Sequence, residues 1–152
     1  MIKRILLFLV LNFSALAIGG LFTRSGVASL WYQNLEKAPW TPPGWVFGAA
    51  WTFIMICFAI YMAYLIVENT NRKKIISLFA FQWILNALWN PVFFYFHAML
   101  AGLIVITLLT LLITYFLFHY NKELRLKSVF ILPYFIWILI ATSLNAYILI
   151  MN

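Results

Sequence analysis

Trp31-Tyr32-Gln33-Asn34-Leu35-Glu36-Lys37-Ala38-Pro39-Trp40-Thr41-Pro42-Pro43-Gly44-Trp45-Val46-Phe47-Gly48-Ala49-Ala50-Trp51 holds four of the chain's seven tryptophans and three of its five prolines. Pro39, Pro42 and Pro43 fix their own φ and push the preceding residues toward extended backbone, so positions 36 to 43 are excluded from helix interior. The prolines make this a stiff, aromatic loop. Loops held rigidly in this way are commonly built to meet a ligand, and each indole offers a broad apolar face with one N–H donor. An interfacial tryptophan belt accounts for the indoles equally, but it has no need of the prolines.

Outward from this loop the chain is apolar. Of 152 residues, 66% are hydrophobic and only 9% charged, which excludes an ordinary soluble domain. Five runs lack Lys, Arg, Asp and Glu and reach or approach the roughly 20 residues that a helix needs to cross a bilayer. They are Ile5 to Phe22, Gly44 to Val67, Ile75 to Phe96, Ala98 to Phe118 and Ser128 to Met151. Backbone groups in lipid must be paired within the segment, and the runs are too long and continuous for barrel strands. The fold class is therefore an all-α membrane protein, a five-transmembrane-helix bundle, forming one domain over residues 1–152 without internal repeat or linker. Lys3-Arg4, the first apolar run and Ala15-Leu16-Ala17 imitate a secretory signal with its cleavage site. The run continues through Ile18 to Phe22, which favours a retained helix.

Ten Lys and Arg oppose three Glu and no Asp, a net charge of +7. The basic residues sit in short clusters between apolar runs, which argues against a nucleic-acid face. With five spans, Lys3, Arg4, Arg72, Lys73, Lys74, Lys122, Arg125 and Lys127 share one side, and only Arg24 and Lys37 fall on the other. The positive-inside rule places the N-terminus in the cytoplasm and the aromatic loop and C-terminus outside, in an expected bacterial plasma membrane.

Little acid–base chemistry is available. Glu36, Glu68 and Glu123 lie at loops or membrane edges, and no nucleophile elbow, phosphate loop or metal-binding pair is present. Cys57 is alone, so neither an intrachain disulfide nor a thiolate metal site is expected. His119 lies among charges; His97 is the only candidate for axial haem ligation, and it lacks a partner. No ionisable group sits inside a span, which argues against an ion-coupled pump. No metal and no required cofactor are expected.

Polar side chains do occur inside the spans. Gln82, Asn86, Asn90, Phe93 and His97 share one helical face, and Tyr134, Trp137, Ala141 and Asn145 share another. Amides are costly in hydrocarbon unless paired, so both faces should look into the bundle. Asn90 fits ligand contact and inter-helix bonding alike, whereas Asn86 reads as inter-helix bonding. Pro91 frees the carbonyl of Ala87 and predicts a kink beside Asn90. Gly44, Gly48 and Trp51 share a face. Thr107, Thr110 and Thr114 are expected to bond to their own backbone.

Three motifs in order give the chain its resemblance to the translocator protein family, the TspO/MBR or tryptophan-rich sensory proteins. They are Trp31-Tyr32-x-x-Leu35-x-Lys37 with Trp40-x-Pro42-Pro43-Gly44-Trp45-Val46-Phe47 and Trp51; Asn86 through Trp89-Asn90-Pro91 to Phe93-Phe94; and Pro133-Tyr134-x-x-Trp137 with Ala141-Thr142-x-Leu144-Asn145. The resemblance spans essentially the whole chain. It implies a five-helix bundle, usually a homodimer, that binds porphyrins such as protoporphyrin IX and haem, cholesterol in animal members, and synthetic isoquinoline carboxamide and benzodiazepine-type ligands. It puts Tyr32 and Pro42 in the loop over the pocket, and Trp51, Asn90, Phe93, Phe94, Trp137 and Ala141 in the walls. Some bacterial members degrade protoporphyrin in light, which by position makes Trp51 and Trp137 catalytic candidates.

Three departures stand out. Lys37-Ala38-Pro39-Trp40 replaces the usual Lys-Pro-x-Trp, which predicts a shifted bend. Val105 stands where many members carry an acidic residue. The cholesterol-recognition pattern has Leu144 and Tyr147 but no following basic residue, which weakens the case for a sterol. The expected function is binding of a porphyrin or similar hydrophobic ligand for sensing, sequestration or transport. Light- and oxygen-dependent porphyrin breakdown, or transport of lipophilic molecules, are the alternatives. Affinity is expected from indole faces alone, with no ionised side chain taking part.

Overall fold

The computed structural model describes Met1–Asn152 throughout. Five helices are long and apolar enough to span a membrane, and no strand is present. They are α1 (Ile2–Val27), α3 (Gly44–Glu68), α4 (Arg72–Asn90), α5 (Met99–His119) and α7 (Leu132–Met151). Two short helices sit in the connections, α2 (Leu30–Asn34) and α6 (Asn121–Leu124). The protein is a multi-pass integral membrane protein, as the apolar runs predict. Helix α1 runs unbroken through Ala15-Leu16-Ala17 and packs on its neighbours, with Asn12 and Ala15 buried.

Local chemistry sets the ends of these helices. Ser29 caps α2 by accepting from the Tyr32 N–H (3.2 Å), and Asn71 caps α4 by accepting from the Lys74 N–H (3.2 Å). Pro43 lies at the N-cap of α3, where a missing N–H costs nothing. Pro91 ends α4 proper. The chain continues as a π-helical turn over Pro91–Tyr95, in which the Phe96 N–H reaches back five residues to the Pro91 carbonyl (3.0 Å). The disturbance foreseen beside Asn90 is thus a widened turn, a form that often marks functional sites. It also ends the helix before His97, which adopts φ 52° and leaves the face shared by Gln82, Asn86 and Phe93.

The spanning helices form a closed ring, α1 to α4 to α5 to α7 to α3 and back to α1, and α3 also touches α4. In the half of the ring next to the α3–α4 connection, Phe58, Tyr61, Met62, Phe116, Tyr134 and Ile138 fill the centre. Phe58 meets the Tyr134 ring edge-on at 5.2 Å and the Phe116 ring at 6.0 Å. Hydrogen bonds tie the helices across this half. Asn12 donates to the Met55 carbonyl (3.1 Å), Tyr61 to the Phe116 carbonyl (2.8 Å), and Gln82 to the Tyr134 hydroxyl (2.8 Å). Each such bond contributes about 0.6 to 2 kcal/mol in a membrane interior. Thr110 and Thr114 bond to the carbonyls one turn back, as expected, whereas Thr107 does not, and Thr110 also meets Thr142 across the α5–α7 contact (2.8 Å).

Candidate ligand cavity

The centre of the ring is hollow in its other half. A cavity of about 660 Å³ lies there, under the segment that joins α1 to α3. Its volume is within the roughly 300–1,000 Å³ of small-molecule sites. Each spanning helix contributes wall residues, among them Ala15 and Thr23 of α1, Trp51 of α3, Asn86 of α4, Ile106 of α5 and Trp137 and Asn145 of α7. Tyr32, Pro42, Trp51, Asn90, Phe93, Phe94, Trp137 and Ala141, the eight residues expected to bind ligand, all line it.

The proline-rich segment forms the lid. Ala38 to Thr41 is a hydrogen-bonded turn with Pro39 and Trp40 at its centre, closed by the Thr41 N–H on the Ala38 carbonyl (2.9 Å). Proline in the second position of a turn is favoured, which accounts for the bend falling at Pro39. Trp40 anchors the turn to α7 by donating its indole N–H to Ser143 (3.2 Å) and meeting Tyr147 edge-on at 5.4 Å. Asn152 holds the backbone of Glu36 from both sides, accepting from its N–H (2.9 Å) and donating to its carbonyl (3.2 Å). On the α1 side, Trp31 stacks on His97 at 4.1 Å and meets Phe93 at 5.5 Å. Tyr32 lies against Phe94 at 5.4 Å, and burial pushes its phenol above the usual tyrosine range. The four tryptophans of the opening stretch therefore divide their work. Trp31 and Trp40 fasten the lid, Trp51 faces the cavity, and Trp45, 75% exposed, takes the position of a belt residue.

The walls are aromatic and largely pre-arranged. Trp89 stacks on Phe93 (5.3 Å, 12° between planes) and donates its N–H to Asn145 (3.1 Å), whose own amide donates to the Ala141 carbonyl (2.9 Å). Phe47 meets Trp137 edge-on at 5.4 Å, and Trp51 meets Tyr134 at 5.8 Å. Gly19 and Gly26 let α1 approach the opposite wall. A Cβ at Gly19 would overlap the Asn90 amide, and one at Gly26 would overlap Phe94. Gly20, Gly44 and Gly48 have open space where a Cβ would stand and border the cavity between α1 and α3, so Gly44 and Gly48 make no helix contact there.

The two asparagines of α4 have unlike surroundings. Asn90 accepts from the Thr23 hydroxyl (2.6 Å), so its oxygen is engaged in holding α4 to α1 while its side chain still borders the cavity. Asn86 is only 8% exposed and faces the cavity with its amide in no hydrogen bond. Inter-helix bonding therefore falls to Asn90, and Asn86 is the open polar group. The Trp137 indole N–H, in a side chain 9% exposed, is likewise buried without an acceptor. That nitrogen is covered by the wall, so the Asn86 amide is the polar group that a ligand's own polar atoms can meet in the apolar cavity.

Lys37 is the residue that the sequence reading passed over. It lines the cavity and is the sole charged side chain to do so. His97 does not line the cavity; its exposed ring covers Trp31 instead. No group of three His, Cys, Asp or Glu side chains comes together anywhere. Of the sterol-pattern residues, Leu144 lines the cavity and Tyr147 is occupied by Trp40.

Comparison with known proteins agrees with this architecture. The TspO/MBR family profile matches residues 6–151. The chain belongs to the TspO/MBR family. It is 35% identical over 148 residues to the tryptophan-rich protein TspO of Archaeoglobus fulgidus, covering 94% of each chain. It is 33% identical over 118 residues to the protein CrtK of Rhodobacter capsulatus, covering 76% of this chain and 74% of that one. The human translocator protein is more distant, at 26% over 119 residues, 76% of this chain and 70% of the human protein. In this TspO/MBR protein each of the three sequence motifs contributes residues to the cavity or its lid.

Proposed function

We propose that this protein is a membrane receptor for a planar tetrapyrrole, protoporphyrin IX or haem, which it takes into the lidded cavity between Trp51 and Trp137 for sensing, sequestration or delivery. The observation that carries the reading is the cavity itself: about 660 Å³, aromatic on several sides, with the Asn86 amide facing it unpaired. A flat aromatic ring system matches such walls in shape and in offset stacking, and its polar edge can satisfy the open Asn86 amide. The chemistry needed is only binding, which suits a site without carboxylate or histidine. Titration of the purified protein with protoporphyrin, haem and a sterol side by side tests it. Micromolar or tighter binding of the porphyrins, with the sterol weaker, is expected; a sterol preferred over both porphyrins would overturn the assignment.

A second reading, porphyrin breakdown in light and oxygen, draws on the oxidisable indoles of Trp51, Trp89 and Trp137 in the walls. It predicts product formation under illumination that is lost in Trp51→Phe or Trp137→Phe while binding persists. Equal bleaching of free and bound porphyrin would remove it. The proposed orientation places the N-terminus in the cytoplasm of a bacterial plasma membrane and the lid outside, supported by eight of ten basic residues on the side away from the lid. A reporter fused after Asn152 should read as external, and a cytoplasmic signal there would reverse the topology.

A further inference from the structure

We infer that Lys37 makes the cavity selective for anionic ligands, by meeting a carboxylate at the edge of the ligand while the apolar body lies below. The inference rests on the porphyrin-binding reading and adds to it the charge of the ligand and the residue that selects it. Lys37 belongs to the lid, and its ammonium is positioned. It donates to the carbonyls of Gln33 (3.3 Å) and Leu35 (3.1 Å) and sits 4.7 Å above the centre of the Tyr32 ring, which itself borders the cavity. An ammonium has three protons to donate, so one remains.

No carboxylate of the chain neutralises it. The ion pair that does form joins Lys127 and Glu68 at the far end of the bundle, and Glu36, adjacent in sequence, makes none with Lys37. The remaining lining residues carry no charge of either sign. A positive group at the rim of an otherwise neutral, apolar chamber attracts anions and favours ligands whose carboxylate projects toward the lid. The two carbonyls and the tyrosine face hold the ammonium without cancelling its charge. It therefore needs little reordering to receive an anion.

The test compares protoporphyrin IX with its dimethyl ester, which keeps the macrocycle and removes both carboxylates. Titrations use the full-length protein in phosphatidylcholine nanodiscs, so that no anionic lipid competes. Wild type should bind the acid about tenfold more tightly than the ester, as expected for one charge-assisted hydrogen bond in a partly desolvated setting. Lys37→Gln should abolish that preference while leaving ester affinity within about twofold, and Lys37→Arg should retain it. Added salt should narrow the wild-type preference and leave the variant unchanged.

A Lys37→Gln variant that weakens acid and ester equally would show that Lys37 only supports the lid, and the inference would fail. Equal binding of acid and ester by wild type would sink it too. Trp51→Ala separates this from the cavity reading, because it should weaken both forms by the same factor. Absence of binding by either form is the failure of the cavity reading, and the inference falls with it.

Discussion

Trp51→Ala is the perturbation whose effect the structure specifies best. The indole is half-buried, its edge against Tyr134 at 5.8 Å and the rest turned to the cavity. A tryptophan buries about 150–250 Å² when fully covered, so a ligand on its cavity side covers on the order of 100 Å². At about 25 cal/mol per Å² that contact contributes roughly 2.5 kcal/mol. Alanine is spared the ordering of the indole itself on binding, on the order of 1 kcal/mol, which offsets part of that loss. The net loss is about 1.4 kcal/mol, a tenfold rise in Kd for protoporphyrin. Because Trp51 already borders a hollow, its removal enlarges a cavity in place of opening one in packed core. The folding cost should accordingly stay below the roughly 3–5 kcal/mol of a fully buried Trp→Ala change. Porphyrin absorbance in nanodiscs gives Kd without relying on tryptophan emission, and helicity by circular dichroism verifies the fold. Trp51→Phe should recover much of the lost affinity. An intact Trp51→Ala protein with Kd within twofold of wild type would refute the placement of the ligand against this indole.

Other consequences follow from individual contacts. Trp137→Phe keeps an aromatic wall and removes an N–H that is covered and unpaired, so Kd for protoporphyrin should stay within about threefold; a loss of about tenfold, the size of one hydrogen bond, would mean that the ligand reaches this donor. Trp40→Ala removes the lid's bond to Ser143 and its contact with Tyr147, so stopped-flow release of porphyrin should quicken several-fold, and unaltered release would show that the turn is not a lid. Gly26→Ala puts a Cβ into Phe94 and should lower thermal stability by about 1–3 kcal/mol, the usual range for overpacking; an unchanged melting temperature would contradict the close approach of α1 to the π-helical turn.

Much of this arrangement can be read from residue order alone, because membrane spans obey a strong rule: every backbone group must be paired inside hydrocarbon. The same rule makes polar side chains in spans conspicuous. Gln82, Asn86 and Asn145 were expected to face the bundle, and all three are buried there. Which of them holds helices and which stays open was not legible, since it depends on what lies across the gap. Thr23 is 67 positions from Asn90 and happens to reach its oxygen, while nothing reaches Asn86. His97 illustrates a second limit. Helical spacing puts it on the face of Asn86 and Asn90, but Pro91 converts the following turn to π geometry and the helix ends before His97. Lys37 escaped notice for a third reason: charge was expected only at the membrane edge, and the lid folds that edge over the cavity mouth.

An experimental structure of the protein with protoporphyrin bound, in lipid, tests the central claim most directly. The macrocycle should lie under the Tyr32–Pro42 lid in contact with both Trp51 and Trp137, with a polar atom within hydrogen-bond reach of the Asn86 amide. A porphyrin seated on the lipid-facing surface, or at His97 outside the ring of helices, with the cavity unchanged, would contradict it.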